Sequence, residues 1–327
     1  MPGCGCGCGC GCGCGCGCGC GCGCGSCCSS CCDPCCCDPC CCSCCDPCCC
    51  DCCCCGPKCC VSPCAKWNTT GNIVAGVGGQ GDKPDQLNGP MGIFIHRQTN
   101  TLYVADSSNN RVQMFELNNL QTTGTTVIFN ITYPSKIYVD DDMDGQTIYA
   151  AVEGDSAVKK WTKGASEGVQ VGGECFYCMG VSVDKEKNVY MSSAGRSCVY
   201  KWSSQTNITT TAAGQENYPG MESEHLDAPE GIYVDGNSGT VYVADFSNNR
   251  IQKWEKDAHN GTTVAGLSIG EGGSDHESLS RPSSVWVDDE TQVVYVADSA
   301  NERIQRWSYN ALMGGTIAGG SGMNIDF

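Results

Sequence analysis

The chain has 327 residues, with 36 cysteines and 44 glycines, and its 36 acidic against 19 basic residues give a formal net charge of −17. A chain this acidic repels phosphate backbones, so we expect no nucleic-acid partner. No apolar run is long enough to span a membrane, and the amino terminus lacks the basic and aliphatic regions of a signal peptide. The cellular location is therefore unknown from these features.

Residues 1–64 form a cysteine- and glycine-rich segment of low complexity. The segment holds 33 of the 36 cysteines, and the first aromatic residue of the chain, Trp67, lies beyond it. A segment without large apolar side chains cannot bury a core, so we predict that residues 1–64 are disordered.

Three interpretations of this segment stay open. The dense CxC and CxxC spacing from Cys27 to Cys60 suits a thiolate cluster that binds zinc or copper(I). In an oxidising compartment the same cysteines would instead cross-link as a disulfide network. The third interpretation is a low-complexity expansion without selected chemistry. We expect no other cofactor.

Residues 65–327 repeat one pattern five times. Each unit contains a tyrosine in a segment such as TVYVAD, followed by an aromatic residue that closes a segment such as RIQKW. Both series advance by 46, 41, 52 and 53 residues, which indicates a tandem structural repeat. The tyrosines and closing aromatic residues are Tyr103 and Phe115, Tyr149 and Trp161, Tyr190 and Trp202, Tyr242 and Trp254, and Tyr295 and Trp307.

Each unit predicts four short antiparallel strands. The first begins near a proline and reads like GIYVD, and the second is the YVAD segment. The third reads like RIQKW, and the fourth ends in glycine, as at Gly266 and Gly319. Four such strands without a helical period are typical of a β-propeller blade, so we predict an all-β fold.

The units resemble the NHL repeat family through the motif YVAD-x-x-N-x-R. In units two and three, Val152 and Ser193 replace the motif's aspartate, and Ala157 and Cys198 replace its arginine. The resemblance implies an NHL-type β-propeller, a fold that usually has six blades in the ubiquitin-ligase type. The motif is intact in the other three units as Asp106, Asn109 and Arg111, as Asp245, Asn248 and Arg250, and as Asp298, Asn301 and Arg303.

The residues before the first unit match the end of a blade. Ala65 to Trp67 match the end of a third strand, and Ile73 to Gly76 match a fourth strand. The sequence therefore contains five complete blades and one orphan outer strand. Since the resemblance implies six blades, we predict a truncated six-bladed ring.

The aspartates and arginines of the motif have a predicted structural role. An aspartate at a strand end closes a turn, and an arginine can bridge several backbone carbonyl groups. The residues concerned are Asp106, Arg111, Asp245, Arg250, Asp298 and Arg303.

Two kinds of loop lie at the same end of each blade: the loop from the fourth strand to the first strand of the next blade, and the loop from the second strand to the third. We call this end the loop face and predict that it is the binding surface. Phe176 and Tyr177, in a short aromatic loop of unit three, are the first candidates for a contact. Two of the other candidates are histidines with neighbouring carboxylates, which could also chelate a divalent metal. These other candidates are Asn109, Asn248, Asn301, His225 and His276.

Cysteines and sequons bear on the compartment. Cys198 stands at the arginine position of unit three, and a disulfide from Cys198 to Cys175 or Cys178 is one prediction, with buried free cysteines as the alternative. Four N-x-T sequons suit N-glycosylation and give a slight preference for an extracellular location. Their asparagines are Asn68, Asn130, Asn207 and Asn260.

The predicted function is a non-enzymatic interaction scaffold that binds a protein, peptide or glycan through the loop face. The sequence shows no Ser-His-Asp or Cys-His arrangement and no ring of metal ligands in the inner strands, so no catalytic residue is predicted. One alternative is soft-metal binding by the cysteine-rich segment, with the propeller as a carrier. A second alternative is a propeller lyase or hydrolase, because some related propellers are enzymes.

Overall fold

A computed structural model of the chain describes residues 71–119, 122–142 and 145–320. In these ranges the fold is all β, as predicted, with short 3-10 turns and no α-helix. None of the described elements is a helix long and apolar enough to cross a membrane. The cysteine-rich segment, its predicted boundary at residues 64 and 65, and the sequon at Asn68 lie outside the described ranges.

The strands form five four-stranded antiparallel sheets, each following sequence order from inner to outer strand. We number the sheets as blades 1 to 5. Their strands, four to a blade, are β1 (Pro90–His96), β2 (Thr101–Asp106), β3 (Arg111–Glu116), β4 (Thr125–Phe129), β5 (Pro134–Asp142), β6 (Gly145–Val152), β7 (Ala157–Trp161), β8 (Val169–Val171), β9 (Cys178–Val183), β10 (Val189–Ser193), β11 (Cys198–Trp202), β12 (Thr209–Gly214), β13 (Pro229–Val234), β14 (Val241–Asp245), β15 (Arg250–Trp254), β16 (Thr262–Gly266), β17 (Pro282–Val287), β18 (Val294–Asp298), β19 (Arg303–Trp307) and β20 (Gly315–Gly319).

Each blade has the same register, which brings the motif residues together at one end. The aspartate that ends the second strand lies opposite both the proline that begins the first strand and the arginine that begins the third, as Asp245 does with Pro229 and Arg250. In blade 3, Cys178 takes the place of the proline. Short 3-10 turns join second to third strands in four of the described blades, at Ser107–Asn109, Glu153–Asp155, Ala194–Arg196 and Ser299–Asn301, and a fifth turn lies at Leu117–Asn119.

The core lies between consecutive blades. Tyr103, Ala105 and Val112 of blade 1 pack against Ile137 and Val139 of blade 2, and the same kind of cluster recurs at the next three boundaries. This packing follows from the period of two in each strand, which places alternate side chains on opposite faces of the sheet. Each fully buried valine or isoleucine side chain stabilises the fold by roughly 1.5–3 kcal/mol relative to an exposed one.

The face of blade 1 that points away from blade 2 is covered only in part. Ile93 and Ile95 of β1 are 68% and 51% exposed, whereas the equivalent Ile137 and Val139 of β5 are 5% and 3% exposed. Consecutive inner strands pack side by side from β1 to β17, but the described strands β17 and β1 do not pack in this way. This face is therefore open at β1, whereas its side chains from β2 and β3 are buried in a cluster of Leu102, Val104 and Phe115 with Ala75, Leu87 and Leu117.

The predicted orphan strand is not formed. Ile73 and Val74 are exposed, and residues 73–76 pair with no described strand. A fourth strand needs the backbone groups of a third strand beside it, and the described ranges provide none at this point. The prediction of a sixth blade stays a prediction.

Candidate partner-binding face

The motif residues of blades 1, 4 and 5 form one hydrogen-bond network in each blade. In blade 4 the buried carboxylate of Asp245 accepts a hydrogen bond from Arg250 Nε at 2.8 Å and one from the backbone amide of Asp227 at 2.7 Å. Asn248 Nδ2 donates to the same carboxylate at 2.9 Å and to the carbonyl oxygen of Gly220 at 2.7 Å. The network therefore joins the end of the second strand to the loop that precedes the first.

The guanidinium group of each arginine extends the network to that loop. Arg250 donates to the carbonyl oxygens of Met221, Glu222 and His225 at 2.7–3.3 Å. Arg111 and Arg303 make the equivalent contacts in blades 1 and 5. Because these carbonyl groups belong to the loop face, the arginines fix the loops and are not free to bind a partner.

The asparagines of the motif are engaged in the network. Asn109, Asn248 and Asn301 each donate to the motif aspartate and to a carbonyl oxygen of the preceding loop, at 2.7–2.9 Å. An amide group has two hydrogens, and both are donated inside the protein. Contact of these asparagines with a partner stays a prediction.

The disulfide in blade 3 also differs from the prediction. Cys175 is bonded to Cys178, with a Cα–Cα distance of 5.0 Å, and Cys198 is a buried free thiol. The bonded pair lies at the two ends of one tight loop, which brings its Cα atoms within disulfide reach. Burial raises the pKa of Cys198 to about 11, so this thiol stays protonated and unreactive near neutral pH.

One backbone position recurs at the start of every blade on the loop face. The residue before the first strand has a positive φ, between 49° and 56°. Only glycine adopts this conformation without strain, yet two blades place a tyrosine there. From blade 1 to blade 5 the residues are Gly89, Tyr133, Tyr177, Ala228 and Arg281.

The two tyrosines lie on either side of a cleft at the boundary of blades 2 and 3. The cleft has a volume of about 290 Å³ and is lined by aromatic rings, a carboxylate and small residues. Phe176 and Tyr177 are 49% and 56% exposed, and their rings meet edge to face with centroids 5.9 Å apart. The lining residues are Tyr133, Glu153, Gly154, Ser156, Phe176 and Tyr177.

Backbone hydrogen bonds hold the rings of the cleft in place. The amide of Glu153 donates to the carbonyl oxygen of Tyr133, and the amides of Ala194 and Gly195 donate to those of Tyr177 and Phe176, each at 3.1 Å. A Cβ atom added to Gly195 would lie 2.9 Å from Tyr177 Cδ2, so the absence of a side chain at Gly195 lets the rings lie against this turn. The cleft is therefore part of the blade framework.

Two charged residues, Lys136 and Glu230, lie near the starts of the inner strands β5 and β13. Burial raises the pKa of the Glu230 carboxyl to about 7, Lys136 opposes this shift, and Glu153 adds to it. Burial lowers the pKa of Lys136, whose Nζ donates to the carbonyl oxygen of Met91 at 3.0 Å. Blades 1, 3 and 4 have glycine at the position of Lys136. Blade 2 therefore carries a basic side chain where these three blades have none.

The two histidines of the loop face do not meet. His225 Nδ1 lies 3.0 Å from Glu222 Oε2, and His276 is exposed in the next loop along the chain. In the described part of the chain, no three His, Cys, Asp or Glu side chains are placed to hold a metal ion together. The sequons at Asn130, Asn207 and Asn260 are all exposed, and their glycosylation stays a prediction.

Sequence reasoning missed Tyr133, Glu153, Lys136 and Glu230. A signal for Tyr133 was present, because it stands before Pro134 as Tyr177 stands before Cys178. Periodicity does not report a positive φ or an unpaired carboxylate, so nothing in the pattern separated these residues from ordinary loop positions.

Comparison with known proteins agrees with the architecture. The family model of the NHL repeat matches residues 226–254, which contain the intact motif of blade 4. The described domain is a β-propeller that contains an NHL repeat. A search of curated proteins found no match to this propeller.

Solved structures similar to the NHL-repeat propeller share its fold at low identity. An auxiliary nutrient binding protein from Bacteroides ovatus is 16% identical with a TM-score of 0.53, and the match covers 67% of this chain and 59% of that one. A chain of a nidogen/laminin complex is 15% identical with a TM-score of 0.55, over 70% of this chain and 80% of that one. Virginiamycin B lyase from Staphylococcus aureus is 10% identical with a TM-score of 0.51, over 75% and 88%. At these identities the likeness concerns the fold alone.

Proposed function

We propose that the propeller is a non-enzymatic recognition domain that binds a protein, peptide or glycan partner through its loop face, at the boundary of blades 2 and 3. The observation that carries this proposal is the cleft with three half-exposed aromatic rings. Two of these rings stand on backbone positions that favour glycine. Strained positions and exposed aromatic residues both concentrate at binding sites.

The fold does not by itself distinguish binding from catalysis. Propellers of similar fold include a nutrient-binding protein and a chain of a protein complex, but also a lyase. The preference for binding rests on the residues of the loop face. At one equivalent position of the inner strands, none of the five blades has a histidine or a carboxylate, and the residues there are Phe94, Tyr138, Ser182, Tyr233 and Trp286.

A second exposed apolar group provides a matched control. Tyr309, Leu312 and Met313 lie in the turn between the third and fourth strands of blade 5, at the opposite end of the propeller. This group has ordinary turn geometry in a single blade and lines no cleft among those described. A partner of the loop face would not contact it.

The test is a selection of ligands from a displayed peptide library and a glycan array on the full chain. Each ligand is then measured against two triple variants. We expect binding to be lost with Tyr133→Gly, Phe176→Ala and Tyr177→Gly, and kept with Tyr309→Ala, Leu312→Ala and Met313→Ala. The proposal would be contradicted by ligands that still bind the variant of Tyr133, Phe176 and Tyr177 but no longer bind the variant of Tyr309, Leu312 and Met313.

Soft-metal binding by residues 1–64 is the second candidate, and the 33 cysteines of that segment favour it. Titration of the full chain with zinc or copper(I), against a chain that lacks residues 1–64, tests it directly. We expect stoichiometric binding to the full chain only. Equal binding by both chains would contradict it, as would no binding.

A further inference from the structure

The cleft of blades 2 and 3 combines aromatic faces with a carboxylate. Tyr133, Phe176 and Tyr177 provide the rings, and Glu153 provides the only acidic side chain among the lining residues. Aromatic faces are electron-rich and attract cations, and a carboxylate attracts them further. An uncharged apolar side chain would leave this carboxylate partly desolvated without a partner, at an energetic cost.

The carboxylate of Glu153 is available to a ligand. It is half-buried, and no side-chain hydrogen bond or ion pair engages it in the described part of the protein. Basic side chains of the neighbouring strands and turns have other partners. Arg196 pairs with Glu216 and Glu174, and Lys136 donates to the carbonyl oxygen of Met91.

We propose that this cleft binds the guanidinium group of an arginine side chain carried by a peptide or protein partner. The inference rests on the proposed function, because it names the chemistry that the loop face recognises. A guanidinium group is flat, stacks on aromatic faces and donates two parallel hydrogen bonds to a carboxylate. A volume of about 290 Å³ is at the lower end of ligand pockets, which suits one side chain better than a whole small molecule.

Charge around the cleft favours the same ligand. The chain has a formal net charge of −17, so a basic partner is attracted from a distance. Glu230, in the inner strand of blade 4, is a second acidic residue that interacts electrostatically with Glu153.

The experiment compares two peptides that differ only in charge. The probes are acetyl-Gly-Gly-Arg-Gly-Gly-amide and the same peptide with citrulline, which keeps the shape of arginine but is neutral. Binding to the full chain is followed by NMR chemical-shift titration. We expect the arginine peptide to bind at least about tenfold more tightly, because the cation–π and ion-pair contacts need the charge.

Variants assign the effect to the cleft. We expect Glu153→Gln and Phe176→Ala each to weaken the arginine peptide at least about fivefold. Glu302→Gln is the matched control, because Glu302 is an exposed acid of the loop face in blade 5, away from the cleft, and should leave binding unchanged. Thermal unfolding of each variant checks that the fold is kept.

Two results would overturn the inference: equal binding of the arginine and citrulline peptides, or equal loss with Glu153→Gln and Glu302→Gln. The proposed function would survive either result if a selected ligand still depended on Tyr133, Phe176 and Tyr177. It would fail if no selected ligand depended on these residues.

Discussion

Tyr133 and Tyr177 hold a left-handed backbone conformation that suits glycine, the residue blade 1 has at this position. Such a conformation costs a bulky residue of the order of 1–3 kcal/mol. Their rings are 53% and 56% exposed, so much of each ring is open to solvent. At the scale of single residues, the loop face therefore keeps strained aromatic residues where the fold alone would favour glycine.

Replacement of these tyrosines by glycine should separate stability from binding. We expect Tyr133→Gly and Tyr177→Gly each to change the free energy of unfolding by roughly −0.5 to +1 kcal/mol, because relief of strain offsets the added backbone freedom of glycine. Binding of a loop-face ligand should be lost. Urea denaturation measures the first effect, and Ala228→Gly, at the same backbone position without a ring, is the control. A loss of more than about 2 kcal/mol would show that the rings serve the fold instead.

Glu230 should make stability depend on pH. Its folded pKa of about 7 lies above the ordinary value of 4.5, so folding favours the protonated carboxyl. The stability it contributes is fully present below about pH 4.5 and is lost as the pH rises toward about 7. We expect Glu230→Gln to flatten the decline in unfolding free energy across this range. Chemical denaturation at several pH values measures the unfolding free energy of the original chain and of the Glu230→Gln variant. An equally steep decline with pH in both would disprove the prediction.

At the scale of structural elements, the loops are fastened in two ways. Blades 1, 4 and 5 use the network of aspartate, asparagine and arginine. Blade 3 lacks it and instead closes its short loop with the disulfide between Cys175 and Cys178. The cleft lies beside the two blades that lack the network, where the loops are free to present aromatic residues.

Removal of one network should be costly. Asp245→Ala leaves Arg250 buried without its partner, and we expect a loss of about 3–5 kcal/mol in the free energy of unfolding. The control is Asp155→Ala, because Asp155 pairs with Lys159 at the surface and should change stability by less than about 1 kcal/mol. If calorimetry gave equal losses of unfolding free energy for the two variants, the network would not be what holds the loop of blade 4 in place.

The elements were the most predictable part of the molecule. Alternating side chains and the repeated tyrosines defined five blades, and the proline positions marked their inner strands. The predicted strand at Ile73–Gly76 failed because a strand depends on a neighbour as well as on its own residues. The partner of Cys175 was missed because sequence spacing does not say which of two nearby thiols faces it.

The site was predictable only in part, for a related reason. Phe176 and Tyr177 stood out because an aromatic loop replaced a longer polar one. Glu153 belongs to a different blade, and its place in the cleft depends on how blade 2 packs against blade 3. Contacts across a blade boundary are set by the assembled fold, which no single repeat encodes.

At the scale of the whole molecule, the inner strands are unequal because the outward face of β1 is open in the described structure. Ile93 and Ile137 occupy the same position in blades 1 and 2, with 68% and 5% of their surface exposed. We expect Ile137→Ala to cost about 2–4 kcal/mol and Ile93→Ala less than about 0.5 kcal/mol. Denaturant unfolding of the two variants measures the difference. Similar losses would show that the face of β1 is covered in solution.

Hydrogen exchange of the full chain, with and without a selected ligand, tests the central claim most directly, because it maps the contact without a substitution. We predict slower exchange of backbone amides in residues 131–136, 153–156 and 174–179, which surround the cleft, and unchanged exchange in residues 308–314 at the opposite end. Protection confined to residues 308–314, with none around the cleft, would contradict recognition through the loop face.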